Sequence, residues 1–144
     1  MIRTITKYDK PKIIEIMKLF RSESNAVEFK SIDNEPYWNM LLDSIIAGQG
    51  VCFYEEDIGI LMAVITPSIW CNKTFTLHEI AWYVKPEYRN TSIGYRLLKR
   101  YIEYGKALKE EKRIKFFIMG KMPSSPDIKY SKFGFRKIDE SWIQ

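Results

Sequence analysis

The residues from Val84 to Gly94 have the types and the spacing of an anion-binding loop. A strand is predicted to end at Val84, a short loop of small and polar residues follows, and a long helix is predicted from Ser92. The first amides of a helix have no partner inside it and lie at the positive end of its dipole, so they attract phosphate. Arg89 supplies a planar set of donors suited to phosphate oxygens, and Gly94 permits close approach of the backbone. An ordinary strand-to-helix turn explains the same residues, so the loop alone leaves two interpretations open.

The basic residues of the chain are concentrated around this loop and the helix after it. The net charge is +5, and residues 85–115 contain ten basic and four acidic side chains, against 13 basic and 14 acidic ones elsewhere. This concentration indicates an anionic ligand or one helix with a solvated basic face. A nucleic acid is another anion that the charge suggests, but no nucleic-acid-binding motif is present, so a nucleic acid is the less favoured partner.

Composition excludes several other classes of protein. The two cysteines, Cys52 and Cys71, do not form a metal-binding pair, and the single histidine, His78, does not complete a zinc site with them, so no metal is expected. No apolar run approaches the ~20 residues that span a bilayer, and no secretory leader is recognised, so we expect a cytoplasmic protein without a membrane partner. An apolar content of 46% excludes intrinsic disorder.

A mixed α/β domain built round one sheet, predicted over residues 1–144, must position the loop. Helical spacing of apolar residues predicts two early helices, the first capped by Asp9 and the second ended by Gly48. The remaining elements are predicted as strands over 2–6, 51–54, 58–65, 75–84 and 114–119, a helix over 92–109, a weak helix or turn over 123–132, and one or two final strands within 133–143.

Two segments together resemble the signatures of a known family. Residues 78–98, HEIAWYVKPEYRNTSIGYRLL, contain a strand ending in Val-x-Pro-Glu-Tyr-Arg, a glycine-containing loop and a helix with paired leucines. Residues 130–135, YSKFGF, follow as a Tyr-x-Lys-hydrophobic-Gly-Phe segment. In this order they resemble the GNAT superfamily of N-acetyltransferases, over essentially the whole chain. The resemblance implies an α+β fold with a mostly antiparallel sheet flanked by helices, and direct transfer of acetyl from acetyl-coenzyme A (acetyl-CoA) to a primary amine of a small molecule or protein.

The resemblance also implies which residues bind acetyl-CoA. The loop and the helix start would hold the pyrophosphate, chiefly through backbone amides, and the preceding strand would pair its backbone with pantetheine. The implied residues are Trp82, Tyr83, Val84, Arg89, Asn90, Thr91, Ser92, Ile93, Gly94 and Tyr95. On the helix, the candidates for the 3′-phosphate are Arg96, Lys99 and Arg100. Ser92 replaces the family's first loop glycine, and a serine can still cap the helix and offer its amide.

Two residues are implied as catalytic groups. Tyr130 of the second signature would protonate the departing thiolate, and Glu79 on the central strand would deprotonate the amine, directly or through water. A backbone amide near Val84 would polarise the thioester carbonyl. His78, on the opposite side of the strand, is the alternative base, and all three side chains also have structural interpretations as packed or solvated residues. Pro123 replaces an asparagine of the family pattern, which leaves the position of Tyr130 and one coenzyme contact open.

The segments expected on the acceptor side carry carboxylates. By resemblance these segments are residues 22–33 and 139–144. Their acidic residues, which predict a cationic amine as acceptor, are Glu23, Glu28, Asp33, Asp139 and Glu140. Two other functions remain open: a catalytically weak module that binds coenzyme A or docks a partner, which Ser92 and Pro123 favour, and a basic nucleic-acid-binding protein. A homodimer is an alternative to a monomer, since many members of the family form dimers.

Overall fold

The computed structural model describes residues 1–122 and 125–144, and its centre is one five-stranded sheet with helices on both faces. The strands are β1 (Ile2–Thr4), β2 (Gly50–Glu55), β3 (Gly59–Ser68), β4 (Cys71–Val84) and β5 (Phe116–Ile118). The helices are α1 (Lys10–Ser22), α2 (Glu35–Ser44), which continues into a wider turn over Ile45–Gln49, and α3 (Ile93–Glu110). The strands lie in chain order, and every pairing is antiparallel except the parallel pair β4–β5. The predicted fold class is therefore confirmed.

The alternation of side chains along β3 produces two apolar cores, one on each face of the sheet. Leu61 points to the face that α3 covers and packs in one core with Leu97. Ile60 and Met62 point to the other face and pack in a second core with residues of α1 and α2. A strand that is buried on both faces has no solvent-facing positions for polar residues, which explains the continuous apolar run at 58–65.

The register of the antiparallel pair β3–β4 shifts at the middle of β4. Met62 pairs with Ala81 and Ala63 pairs with Glu79, so Ile80 has no partner on β3. A bulge of this kind breaks the alternation of faces along the strand. As a result, the neighbouring residues Ile80 and Ala81 both line a cavity on the α1 and α2 side of the sheet.

The parallel pair β4–β5 is short, and the two strands then separate. Pairing covers only residues 76–78 of β4 and residues 116–118 of β5. The rest of β4, residues 79–84, has no strand beside it on that side in the described part of the chain. We call this space the β4–β5 gap. The crossover helix α3 packs closely below it, since a Cβ atom on Gly105 would lie 2.6 Å from the ring of Phe117.

The predicted final strands are wrong. Residues 135–144 form no strand, and Phe133 and Phe135 instead pack against the α3 core. Two features explain why no strand is added beside β5. β5 is only three residues long, and residues 136–141 contain a single apolar side chain, Ile138, that could be buried against the sheet. Near the end of the segment the Trp142 side chain is 89% exposed.

The start of α1 differs from the prediction. Asp9 does precede α1, but its carboxylate accepts from the Thr6 amide at 2.8 Å and pairs with Arg3, so the expected cap on α1 is wrong.

The start of the segment predicted as a weak helix or turn, at Pro123, lies outside the described residues. Within residues 1–122 and 125–144, no helix is both long enough and apolar enough to cross a bilayer.

Candidate active site

A tyrosine from α3 stands at the point where β4 and β5 separate. The Tyr101 side chain is fully buried, and its hydroxyl donates to the Ile118 carbonyl of β5 and lies 3.3 Å from the Leu77 carbonyl of β4. Just beyond this point the Gly120 amide donates to the Glu79 carboxylate at 3.3 Å, where a strand ladder would otherwise continue. Side chains therefore replace backbone pairing at the mouth of the β4–β5 gap.

The carboxyl of Glu79 lies in this mouth, and its surroundings shift its pKa toward neutrality. Burial raises its pKa to about 7, against the smaller opposing effect of the Gly120 amide. A carboxyl with a pKa near neutrality is half ionised under working conditions, and such a group can accept a proton and release it again. Glu79 therefore has the electrostatics of a general base.

Tyr130 comes to the same region from the C-terminal part of the chain. It begins a short 3-10 turn, Tyr130–Phe133, and its hydroxyl donates to the Pro126 carbonyl at 3.3 Å. Burial raises its pKa, and the negative charges of Glu79 and Asp127 raise it further. A tyrosine held in its protonated form at neutral pH can serve as a proton donor. The charge of Glu79 therefore acts on Tyr130, the other residue predicted to be catalytic.

The start of α3 leaves amides free at the other end of the gap. Thr91 Oγ1 accepts from the Ile93 amide at 3.4 Å, whereas Ser92, at the helix start, does not form the side-chain cap that a serine permits. Among the described residues the Gly94 and Tyr95 amides have no hydrogen-bond partner, and Arg96 is the first to bond within the helix, to the Ser92 carbonyl. These are the unpaired donors that an anion would use.

Gly94 gives a test of whether the residues present fit such a ligand. A Cβ atom on it would lie 3.8 Å from Val84 and 3.9 Å from Trp82, which are ordinary contacts. Packing inside the protein therefore does not require glycine here. What fits the pyrophosphate expected at this point is the pair of free amides at Gly94 and Tyr95.

Arg89 is engaged with the end of α1. Its Nε donates to the Val84 carbonyl at 2.8 Å, its Nη2 pairs with the Glu23 carboxylate at 2.9 Å, and its guanidinium lies 5.3 Å from the centre of the Tyr83 ring. The Tyr83 hydroxyl also donates to Glu23. The Arg89 side chain therefore joins the loop to α1, while Asn90 beside it is exposed.

The basic residues of the helix are divided among different surfaces. Arg96 lies 3.6 Å from Glu55, and Arg100 donates to the Ile2 carbonyl at 3.0 Å, so both reach toward the edge of the sheet at β1 and β2. Lys99 is exposed, with no ion pair within the described ranges. A separate basic cleft lies at the C-terminal end of α3, lined by Lys73, Lys109, Lys112, Arg113 and Lys115.

A cavity of about 300 Å³ lies on the other side of β4. Side chains from α1, α2, their connection, β3 and β4 form it, and at β4 it is bounded by Ile80 and Ala81. None of the carboxylates predicted on the acceptor side lines it. In the described ranges no group of three or more His, Cys, Asp or Glu side chains is arranged to hold a metal ion.

Sequence reasoning missed Tyr101 and the bulge at Ile80. The signal for Tyr101 is a hydroxyl on the otherwise apolar face of α3, which requires a buried partner. The bulge leaves no signal in the sequence, because it depends on how β3 and β4 align.

The comparisons with known proteins agree on one family and one fold. A family model described as the acetyltransferase (GNAT) family matches residues 12–135. A predicted acetyltransferase with acetyl-CoA from Clostridium acetobutylicum superposes with a TM-score of 0.71 at 17% identity, covering 100% of this chain and 94% of that chain. No curated protein sequence matches the chain.

Two further solved structures are similar over the whole chain. Glucosamine-6-phosphate N-acetyltransferase from Arabidopsis thaliana has a TM-score of 0.69 at 15% identity, covering 100% of this chain and 96% of that one. An aminoglycoside acetyltransferase from an uncultured soil metagenomic sample has a TM-score of 0.67 at 15% identity, with 100% and 95% covered. At these identities the structures establish a shared fold.

Proposed function

Because residues 12–135 match its family model, the chain belongs to the acetyltransferase (GNAT) family, and we propose that it transfers acetyl from acetyl-CoA directly to a primary amine. The observation that carries the proposal is the β4–β5 gap, with Glu79 and Tyr130 at one end and the free amides of α3 at the other. We propose that residues 1–144 act as one acetyltransferase domain.

The gap supplies two kinds of contact for acetyl-CoA. Residues 82–84 offer backbone groups on the side of β4 that β5 does not cover, which supports pairing with the amide groups of pantetheine. The amides of Gly94 and Tyr95 support binding of the pyrophosphate, with Asn90 and Thr91 in the loop before them. Arg89 supports the loop through its bonds to Val84 and Glu23, and its exposed part remains a predicted phosphate contact.

The chemistry needs a base, an oxyanion donor and an acid. Glu79 takes a proton from the ammonium group, and the neutral amine then attacks the thioester carbonyl carbon. Backbone amides of β4 stabilise the tetrahedral oxyanion, since an amide aimed at developing charge is most effective where water is excluded. The bond from carbon to sulfur breaks, and the leaving thiolate takes the Tyr130 proton. The acylated nitrogen loses its second proton, which restores the Tyr130 hydroxyl, and Glu79 releases the first proton to solvent. The products are an N-acetylated amine and coenzyme A, and no cysteine is required.

A small-molecule amine is the proposed acceptor. Two proteins of similar fold have names that state small acceptors, an aminoglycoside and glucosamine 6-phosphate, which supports this choice. The predicted cationic character is retained in part. Glu23, Asp33 and Glu140, which were expected to attract a cationic acceptor, already pair with basic residues of the chain. The proposed acceptor therefore carries one positive charge, on the ammonium group that reacts.

Replacing Tyr130 by phenylalanine tests the acid directly. We expect Tyr130→Phe to lower kcat by about 10²- to 10⁴-fold, the usual contribution of general acid catalysis, with the Kd of acetyl-CoA unchanged. Thiol release with an amine panel measures the first quantity, and calorimetric titration measures the second. Tyr8→Phe is the matched control, because Tyr8 is an exposed tyrosine near β1.

Two outcomes would contradict the proposal. Absence of acetyl-CoA binding at millimolar concentration would remove the function altogether. Binding without thiol release for any amine would favour the non-catalytic coenzyme A module. One contact supports that second candidate, because the Tyr130 hydroxyl is directed at the Pro126 carbonyl in this structure.

A further inference from the structure

We propose that the acceptor is a primary monoamine carried on an apolar or aromatic body, and that this body occupies the cavity between α1, α2 and the bulge of β4. The inference rests on the proposed acetyl transfer, and it names the class of amine that this chain selects. Its support comes from the lining of the cavity, its only charged side chain, and the apolar residues at its opening.

The lining is apolar on every side but one. α1 contributes Met17 and Phe20, α2 contributes Trp38, and β3 contributes Met62; Arg21 is the one charged side chain among the described residues that line the cavity. An apolar cavity of 150 Å³ is large enough for benzene, so about 300 Å³ admits a ring with a short alkylamine chain. A sugar would bury several hydroxyl groups against walls that offer few partners, which disfavours it.

Arg21 disfavours a second positive charge on the acceptor. Its guanidinium lies 5.4 Å from the centre of the Trp38 ring, donates to the Ile32 carbonyl and lies 3.8 Å from Asp33. The guanidinium is therefore held at the wall, and its pairing with Asp33 leaves no carboxylate among the described lining residues to receive a second ammonium group. A polyamine would place such a group inside the cavity, whereas a monoamine places its single charge elsewhere.

The bulge of β4 places the two residues that follow Glu79 in the wall of the cavity. Ile80 and Ala81 both line the cavity, and Glu79, the residue before them, reaches into the β4–β5 gap on the other side of the strand. An amine that extends past Ile80 therefore arrives beside the proposed base. Its apolar body remains in the cavity.

Two side chains at the opening have no evident role in stabilising the fold. Phe29 and Ile32, on the connection between α1 and α2, are 47% and 60% exposed and belong to neither core. Both line the cavity. Large apolar side chains gathered at the entrance of an apolar cavity are suited to cover the body of an apolar ligand.

The test compares amines by binding and by turnover. 2-Phenylethylamine and hexylamine are titrated against the ¹⁵N-labelled chain, with spermidine and glucosamine as polar counterparts, and the amide shifts of Ile80 and Ala81 are followed. Thiol release with acetyl-CoA then gives kcat/KM for each amine. We expect the two apolar amines to shift these amides. We also expect them to exceed the polar pair in kcat/KM by about 100-fold, because the cavity offers few partners to the buried polar groups of spermidine or glucosamine.

A variant at the opening assigns the effect to the cavity. Phe29→Ser is expected to raise KM for 2-phenylethylamine about tenfold through lost burial, with the Kd of acetyl-CoA unchanged. Phe75→Ser is the matched control, because Phe75 is a similarly exposed ring at the far end of β4 and lines the basic cleft instead. Equal effects of the two variants would overturn the assignment to the cavity.

The outcomes separate this inference from the proposed function. Shifts at Ile80 and Ala81 with the apolar amines, without turnover of any amine, would support the acceptor class and contradict the acetyl transfer. Preferred turnover or binding of spermidine or glucosamine would overturn the acceptor class and leave the transfer intact. Failure of every amine to shift these two amides would overturn the inference by itself.

Discussion

At the scale of single residues, burial gives Glu79 its proposed catalytic property. The carboxyl lies beside the fully buried Tyr101 and takes one hydrogen bond from the Gly120 amide. Loss of solvent outweighs that bond and raises the pKa of Glu79 to about 7. The same desolvation opposes ionisation of the folded protein, so activity and stability should respond to pH in opposite directions.

The rate should therefore follow the ionisation of Glu79. Only the carboxylate accepts a proton, so we expect log kcat/KM to fall with decreasing pH below about 7, the folded-state pKa. Glu79→Gln should lower kcat/KM by about 10²-fold and lose the inflection. Initial rates of thiol release between pH 5.5 and 9 measure both, and an inflection retained in Glu79→Gln would assign it to another group.

The free energy of unfolding should change with pH in the opposite direction to the rate. The pKa of Glu79 is raised from 4.5 to about 7, so its contribution to the free energy of unfolding is present below 4.5 and is lost as pH rises through 7. Glu79→Gln has no such group, and at pH 8 it should be more stable than the parent by on the order of 1 kcal/mol. Urea denaturation at pH 4 and pH 8 tests this, and an equal difference at both values would contradict it.

The residues of the site differ in how far the sequence predicts them. Glu79 and Tyr130 follow from the family resemblance; in the structure Glu79 lies at the mouth of the β4–β5 gap, and its charge raises the pKa of Tyr130. Arg89 is named by the same signature, but its pairing with Glu23 joins positions 66 residues apart and leaves no local pattern. Tyr101 is missed because its hydroxyl finds its partners only after β4 and β5 have assembled.

At the scale of elements, the close packing of α3 against β5 determines where the gap begins. Gly105 permits the approach, and Phe117 fills it, held edge to face by Tyr101 at 5.9 Å and by Phe135 at 5.8 Å between ring centres. The helix predicted over 92–109 agrees with α3, because its apolar face has a clear local periodicity. The strands differ more from the predictions, since β5 is shorter than the predicted 114–119 and β4 begins before the predicted 75. The divergence itself does not follow from local periodicity, since it depends on long-range pairing and on a final segment that forms no strand.

Two glycine substitutions in α3 should therefore have opposite effects. Alanine normally stabilises a helix by up to about 1 kcal/mol relative to glycine. Gly105→Ala places Cβ 2.6 Å from the Phe117 ring and should instead cost about 1–3 kcal/mol. Gly94→Ala makes ordinary contacts of 3.8 Å and should leave stability unchanged or raised.

The second substitution also tests the ligand site. If Gly94 gives acetyl-CoA room to approach, Gly94→Ala should raise the Kd of acetyl-CoA by at least about tenfold despite its normal stability. Thermal denaturation and calorimetric titration measure the two properties. An unchanged Kd would show that the ligand does not approach this face of the helix, and a stabilised Gly105→Ala would contradict the packing argument.

At the scale of the whole molecule, the basic excess that the sequence concentrates in residues 85–115 is distributed over separate surfaces. α3 has 18 residues and is about 27 Å long, so the basic cleft at its C-terminal end lies far from the amides of Gly94. Arg96 and Arg100 are engaged at β1 and β2. Net charge alone therefore overstates the field at the proposed coenzyme site.

Charge variants should show which of these basic surfaces affects the Kd of acetyl-CoA. The screening length at physiological salt is about 8 Å, so Lys112→Gln with Arg113→Gln should change the Kd of acetyl-CoA by less than about twofold. Lys99→Gln removes an exposed charge near the helix start and should raise that Kd about threefold. Titration at 50 and 300 mM salt measures both, and a tenfold effect of the distant pair would show that the whole basic field attracts the ligand.

The unpaired edge of β4 allows ligand binding in the gap to be detected by amide hydrogen exchange. Along residues 79–84, β3 covers one edge of the strand and the gap leaves the other edge open. Deuterium should therefore replace amide hydrogens at alternate positions of one strand at very different speeds. A ligand lying in the gap would supply the missing half of the ladder and slow the fast positions. The exchange pattern of this one strand would then read out ligand binding without a label or a turnover assay.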